Sequence, residues 1–594
     1  MFIAPLITLL SAIVPFALSD STSTAFVDNP LSISFHGDDD DYYNVGVDVG
    51  GRPFEVRLDI NQPELWVMDE RSFPHCSDVQ NWWSSVDSQY PSSIPETVTT
   101  EALYTAGACL DQPGYQPPAS MASPLVAQTN GAAVNVPYIA STNASGVWAT
   151  DKVGINFTNG SVARWSNFTF IDVKESSLLY GGFGLATNPR GSGLLTSLQQ
   201  SRFIKSPGYS LWFGNTTRYN VNVTTQKYGY IIPGVVDPSR YVGTLYSFPV
   251  VGHKGFRYPQ EQNYDNSVVG NLNLPIVVLD NLELLNPKDG SVSFISNTNV
   301  APFPVALSSR SIFSFLPNSI LIDLAIQTNA YYSADVSRWL VGCEAIRNAQ
   351  ARIRFKFNDL EITMPLENLI ENAIFGGKQL KFQDDQSACT LLVLSSDRNG
   401  AASLGLPFLE HVYMVMDNEA GHVALAQRQE ATEDDNPARV ADDAAARGNS
   451  TDNATAPDNA NARAATPSSS LSKSSTTRTA ASAAYIENGF IPYAESVTTD
   501  TSYVFTYSQV NSLVIDASQV PARFSGALVS DGAYIITGYY ATGSGVSTVN
   551  TNPAESSSSR GEGSGNSGTV GATRAVSMAA VWTVMGFLGV ICMI

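Results

Sequence analysis

Residues 54–67 read FEVRLDINQPELWV: an apolar strand runs into Asp59, a short turn follows, and the chain leaves through Leu65-Trp66-Val67. A carboxylate fixed at the end of a strand is a candidate general acid or base, and a hydrolytic role needs a proton-exchanging partner facing it. Other carriers of chemistry are sparse. The five histidines, among them His75, His253 and His411, sit in unrelated contexts. No Ser-His-Asp set, phosphate loop or zinc-type cysteine spacing stands out, so neither a cofactor nor a metal is implied. What matters is the company that Asp59 keeps.

The elements that must position it are strands. From about 42 to 428 the sequence alternates short apolar runs with Gly/Pro/Asn/Ser turns, as in YNVGVDVGG, YGYIIPGVV, IRFKFNDLEI and VYMVMD. Helical patterns are few, the best being Leu194–Gln200 and Asn318–Gln327. A mainly β body of this length is too long for one simple sandwich and predicts two lobes. The chain has 594 residues, 43% of them hydrophobic, and a formal net charge of -21. That charge argues against nucleic acid and anionic membrane surfaces as partners.

The chain ends carry targeting patterns. Residues 1–19 are an apolar run closing in Ala17-Leu18-Ser19, a small-x-small cleavage pattern, and predict a signal peptide. Residues 20–41 are a short acidic segment. Residues 575–594 are apolar with no basic residue after them, which favours a GPI signal (569–594) over a tail-anchored helix. Asn566, in the small trio Asn566-Ser567-Gly568, is the expected attachment site. Of the five cysteines Cys592 would leave with that tail, and the even set Cys76, Cys109, Cys343 and Cys389 predicts two disulfides. Sequons at Asn143, Asn156, Asn159, Asn167, Asn215, Asn222, Asn449 and Asn453 agree with a secretory route.

After Gln427 the composition changes. Residues 429–484 hold almost no large apolar residues and read as a disordered, O-glycosylated stalk. Residues 485–540 include TSYVFTYSQVNSLVIDA and GAYIITGYY, which alternate like strands and read as a small β element packed on the main body. Residues 541–568 return to Ser/Gly linker.

In series these motifs resemble the pepsin-like aspartic peptidases, and most closely their GPI-anchored fungal branch, the yapsins. YYNVGVDVGGRPFEVRLDI is similar to the strand pair leading to the first catalytic loop, and ASGVWATDKVGI to the strand after the flap, with Tyr138 at the flap tyrosine. YGGFGLA is similar to the turn under the first loop. IIPGVVDPSRYVGTLYSFPVV is the most specific match, and SLGLPFLEHVYMVMDNEAGHVALAQ resembles the closing strands. The resemblance covers 42–428 and implies a bilobal acid-protease fold, with an N-terminal lobe of about 42–240, a C-terminal lobe of about 241–428 and a central cleft. It also implies disulfides Cys76–Cys109 and Cys343–Cys389, one in each lobe.

In that family each lobe presents an Asp-Thr/Ser-Gly loop, and the two carboxylates share one proton because both cannot ionise side by side. The hydroxyls lock the loops to each other and the glycines allow the tight turn. Here the first triplet is Asp59-Ile60-Asn61 and the aligned second triplet is Ser308-Ser309-Arg310. The first aspartate is kept, the second is Ser308, one hydroxyl has become Ile60, and the glycines have become Asn61 and Arg310. The expectation is that the lock is lost and that, with Ser308 in place of the second carboxylate, no shared-proton pair forms and ordinary catalysis fails. Asp323, in LIDLA, is a tempting substitute, but it falls inside the helical pattern SILIDLAI. Trp66 and Tyr138 stand where the resemblance places a peptide groove, although Trp66 suits the core equally well; Ile139 replaces the flap glycine. Residues 20–50 lack Lys and Arg, and HGDDDD stands where a basic propeptide would end.

Together these readings predict a monomeric surface protein at the outer plasma membrane or cell wall, attached to membrane only through GPI. It is most simply an inactive peptidase homologue that binds peptides or wall components, or acts as a decoy or inhibitor. The alternatives are an active yapsin-like endopeptidase and a structural wall mannoprotein.

Overall fold

The computed structural model describes residues 26–69 apart from 28–29 and 39–40, then 114–116, 134–137 and 143–254 with gaps at 177–179, 188–192 and 215–226. It further describes 272–431 with gaps at 289, 291, 296–300, 334–335, 376–377 and 383–385, then 482–506 without 499 and 501, and 536–537. The expected signal peptide, most of the expected stalk, the linker and the anchor signal lie outside the described residues. So do His75, Cys76, Cys109, Tyr138, Ile139, Asn215, Asn222, Asn449, Asn453 and Asn566.

The architecture is mainly β, as the alternating apolar runs predict. A 14-stranded sheet carries the N-terminal half and continues into strands Tyr241–Pro249, Val412–Asp417 and His422–Arg428, while smaller sheets build the C-terminal half. One apolar core runs through both halves, from Val45, Leu58 and Phe170 to Leu307, Trp339 and Leu406. Both helices expected from the sequence form at their expected bounds. Asn318–Gln327 buries Ile320, Leu321, Leu324 and Ala325, one stripe at i, i+1, i+4 and i+5. Asp323 stands off that stripe, and partial burial pushes its carboxyl above the ordinary range. A third helix, Cys343–Ala349, has too short an apolar pattern to stand out in the sequence.

The two halves repeat one supersecondary unit. Strand Arg52–Asp59 runs parallel to Gly181–Gly184, pairing Leu58 with Phe183 and Asp59 with Gly184. Strand Phe303–Leu307 runs parallel to Ser403–Leu404, pairing Leu307 with Leu404. The strand after each loop then pairs antiparallel with the same partner, Trp66 against Gly182 and Phe315 against Ser403. Counted along the ladders, Ser308 occupies the register of Asp59. Two glycines make the same point. A Cβ on Gly184 would collide with the carbonyls of Gln62 and Glu64, and one on Gly405 with those of Ser311 and Phe313. These carbonyls stand at the same two offsets from Asp59 and Ser308, so each loop arches over a glycine that has to lack a side chain.

Cys343 and Cys389 form a disulfide with Cα atoms 5.1 Å apart, closing 46 residues of the C-terminal half. Replacing both by serine is expected to cost about 2–4 kcal/mol, largely by freeing the unfolded chain, and to lower the thermal midpoint accordingly.

The folded body extends beyond the boundaries read from the sequence. Ile33–Gly37 pairs with Tyr43–Val49 and with Tyr228–Pro233, inside the stretch read as a short acidic leader. Strand Ala483–Tyr485 lies between Phe26–Val27 and Val235–Val236, so the last residues of the expected stalk belong to a sheet. Segment 482–506 is packed on the body and supplies edge and bridging strands, whereas most of the alternating stretches at 501–517 and 532–540 lie outside the described residues.

Candidate functional site

Asp59 ends its strand and is fully buried. One carboxylate oxygen, Oδ1, accepts the backbone N–H groups of Asn61 (3.0 Å) and Gln62 (3.1 Å), which folds the following turn back onto the side chain. The other, Oδ2, lies 3.6 Å from Nη1 of Arg310. Backbone donors and a guanidinium both favour the charged form, against the burial that opposes it. Tyr209, wholly buried, feels that charge: burial first and then the Asp59 carboxylate push its phenol far above the ordinary range.

Arg310 replaces the expected loop glycine. Its side chain is 12% exposed, Nη1 donates to the Gly181 carbonyl at 3.4 Å, and the guanidinium carbon lies 5.4 Å from the centre of the Trp66 ring. The cation is thus shared by a carboxylate, a carbonyl and an aromatic face. Trp66 is 0% exposed and packs with Met68, Ala144, Ile171 and Val173. Its assignment to a groove wall is corrected: the ring is a core side chain covered by Arg310, with no surface to offer a peptide.

Ser308 and Ser309 are buried. The Ser309 hydroxyl donates to the Leu58 carbonyl at 2.8 Å and accepts from Ile60 N–H at 3.1 Å, crossing from one lobe to the other. The reciprocal hydroxyl is gone, because Ile60 is an alkyl side chain buried in the core. The expectation that the lock is lost is nevertheless wrong. Asn61 Nδ2 donates to the Leu307 carbonyl at 3.0 Å. Leu58 and Leu307 are the residues before Asp59 and Ser308, so the carbonyl preceding each of these two positions is held by a side chain of the other lobe. The residue that had to give up glycine's freedom supplies the amide that takes over the missing hydroxyl's bond. Sequence reading missed this exchange; an amide one position after a lost hydroxyl was the available signal.

Other expected residues fall away from this centre. His411 is buried with its ring against the Asn368 amide at 2.6 Å, and His253 meets the Leu272 carbonyl at 3.1 Å, its imidazolium disfavoured by burial. The module Asp237-Pro238-Ser239 is structural: the Asp237 carboxylate accepts Ser239 N–H at 3.0 Å, and Arg240 lies 4.4 Å from the Trp212 ring centre. Asn156, Asn159 and Asn167 are exposed, and Asn159 accepts from its sequon partner Ser161; Asn143 lies in strand Asn143–Asn156. Among the described residues no group of three or more His, Cys, Asp or Glu is placed to hold a metal ion.

The chemistry open to this arrangement is narrow. Hydrolysis by paired carboxylates needs one group to take a proton from water while its partner gives one to the carbonyl. Asp59 faces a guanidinium, and the twofold-equivalent position offers a serine hydroxyl. The hydrogen bonds of Ser309 and Asn61 join the two lobes at this point.

A family model described as eukaryotic aspartyl protease matches residues 42–280 and 289–428. Among curated proteins the chain is similar to aspartic proteinase yapsin-7 of Saccharomyces cerevisiae, 26% identical over 435 residues, covering 68% of each chain. It is 23% identical to aspartic proteinase 3 of the same yeast, over 66% of this chain and 71% of the relative. It is 24% identical to barrierpepsin from that yeast, over 65% of this chain and 60% of the relative.

Proposed function

Because the chain belongs to the eukaryotic aspartyl protease family, we propose that it is a member whose catalytic centre has become a structural joint, a cell-surface protein that does not hydrolyse peptide bonds. The carrying observation is the Arg310 guanidinium 3.6 Å from the Asp59 carboxylate, with Ser308 in the register of the second acid. A carboxylate neutralised by a fixed cation is a poor general base, and no second acid shares its proton. The interlobe bonds of Ser309 and Asn61 support the same reading, since the joint is kept while the acid pair is not.

We place the protein in the yapsin-like branch because yapsin-7 is among its relatives. The apolar chain ends and exposed sequons support secretion and display through a GPI anchor at the outer face of the plasma membrane or in the cell wall. In that setting the interlobe cleft takes peptides or wall components without turning them over. The competing reading, an active yapsin-like endopeptidase acting on secreted or wall proteins, draws on the names of the relatives and needs catalysis without a second carboxylate.

The test is incubation of the chain with a peptide library and a denatured protein from about pH 3 to pH 7, the range over which a shared-proton pair works. Peptides are expected back intact, whether or not some are retained by the protein. Pepstatin-sensitive cleavage products would overturn the proposal.

A further inference from the structure

The feature that the interlobe joint leaves unexplained is segment 482–506. It lies beyond the residues that the family model matches and is reached through residues 432–481. It enters as a strand between two others, with Ala484 opposite both Phe26 and Val236. Ile486 N–H then donates to the Gly234 carbonyl at 2.9 Å, and Gly489 N–H to the buried Asp417 carboxylate at 2.8 Å. Ala494–Ser496 runs parallel to Leu245–Ser247 at the edge of the large sheet, and Phe505–Thr506 pairs with His253–Lys254.

The side chains follow the backbone inward. Ala484 and Ile486 are 0% exposed, Phe505 2% and Ile491 5%. Ile486 packs with Val235, Val236 and Tyr413, and Phe505 with Val251, Leu272 and Leu274. The body is shaped to receive them: a Cβ at Gly208 would press on the Ile486 side chain and on the Met416 carbonyl. Outside the sheet, Lys205 places its ammonium 4.3 Å from the Tyr485 ring centre and 3.9 Å from a Glu487 oxygen. The contacts reach from the N-terminal strand Phe26–Val27 to the strand His253–Lys254, so the segment spans both halves of the body.

We infer that 482–506 is a permanent clamp on the body, and that 432–481 is a tether whose cleavage leaves the body bound to everything C-terminal of it. A chain held through its C-terminal end would then be shed by cuts beyond the clamp and retained after cuts in the tether. The cellular consequence rests on the C-terminal anchoring proposed above; the clamp itself does not.

The experiment uses the full-length chain on the cell surface, with a site for a sequence-specific protease inserted after Ala460 in one version and after Gly545 in another. The cut after Ala460 is expected to leave the body on the cell, and the cut after Gly545 to release it. In Ile486→Asp, which forces a charge into an apolar contact, the cut after Ala460 is expected to release the body about tenfold more than in the unsubstituted chain. Uncut Ile486→Asp must still be displayed. Release of the unsubstituted body by the Ala460 cut overturns the clamp. If the Gly545 cut releases nothing, the anchoring reading fails, and gel filtration of the extracted, Ala460-cut chain decides the clamp: co-elution of the two fragments supports it and separation overturns it.

Discussion

Replacing Asp59 by alanine is expected to cost the fold about 3 kcal/mol, a loss of the size seen when one partner of a buried ion pair is removed. The reason lies in what remains. Arg310 keeps its guanidinium at 12% exposure with the carbonyl of Gly181 and the Trp66 ring, but without its counter-charge. The backbone N–H groups of Asn61 and Gln62 lose their acceptor as well. The double variant Asp59→Ala/Arg310→Met restores charge balance and keeps an apolar stem over Trp66, so it is expected to recover more than half of that loss. Denaturant midpoints for the two single variants and the double variant complete a cycle with a coupling of about 1 kcal/mol or more. Additive costs, or an Asp59→Ala cost under about 0.5 kcal/mol, would show that the pair holds nothing together.

The second large effect runs the other way. Ser308→Asp combined with Arg310→Gly returns both missing elements at positions fixed by register: a carboxylate opposite Asp59 and a cation-free turn. Two carboxylates facing each other across the lobes share a proton, so general acid and general base come back together in the acid range. The expected outcome is pepstatin-sensitive cleavage that rises from neutral to acid pH and exceeds that of the unsubstituted chain by at least about a hundredfold. Ser308→Asp alone is expected to gain much less, because Arg310 would remain to pair with either carboxylate. The prediction depends on the loops being held in place, which the bonds of Ser309 to Leu58 and of Asn61 to Leu307 provide. The same double substitution in Asn61→Ala should gain correspondingly little.

The fold was largely legible because it rests on local signals. Apolar spacing marks the helices Leu194–Gln200 and Asn318–Gln327, and strand alternation marks the sheets. The run from Ser308 to Leu316-Pro317 was enough to align the second loop, and the Gly184 and Gly405 contacts reproduce that alignment in three dimensions. The unread parts are non-local. The Asn61 bond depends on how far an amide reaches across an interface between residues 246 positions apart, which no local pattern records. Strands such as Phe26–Val27 and Ala483–Tyr485 are too short to show a period, and their pairing is set by the surface they meet. Trp66 follows the family motif letter for letter, yet it lies in a core cluster with Ala144, Ile171 and Val173, residues far along the chain. The site was therefore readable as a list of altered letters, while the way those alterations compensate one another was not.

In the proposed function Asp59 is a structural carboxylate paired with Arg310 and performs no catalysis. The most direct measurement is kcat/KM of the folded chain at about pH 4 on a mixed peptide substrate, beside Asp59→Ala and with and without pepstatin, the condition that favours a shared-proton pair. Rates at the background of the buffer are expected, unchanged by either the substitution or the inhibitor. Turnover that pepstatin suppresses and Asp59→Ala abolishes would contradict the proposed function.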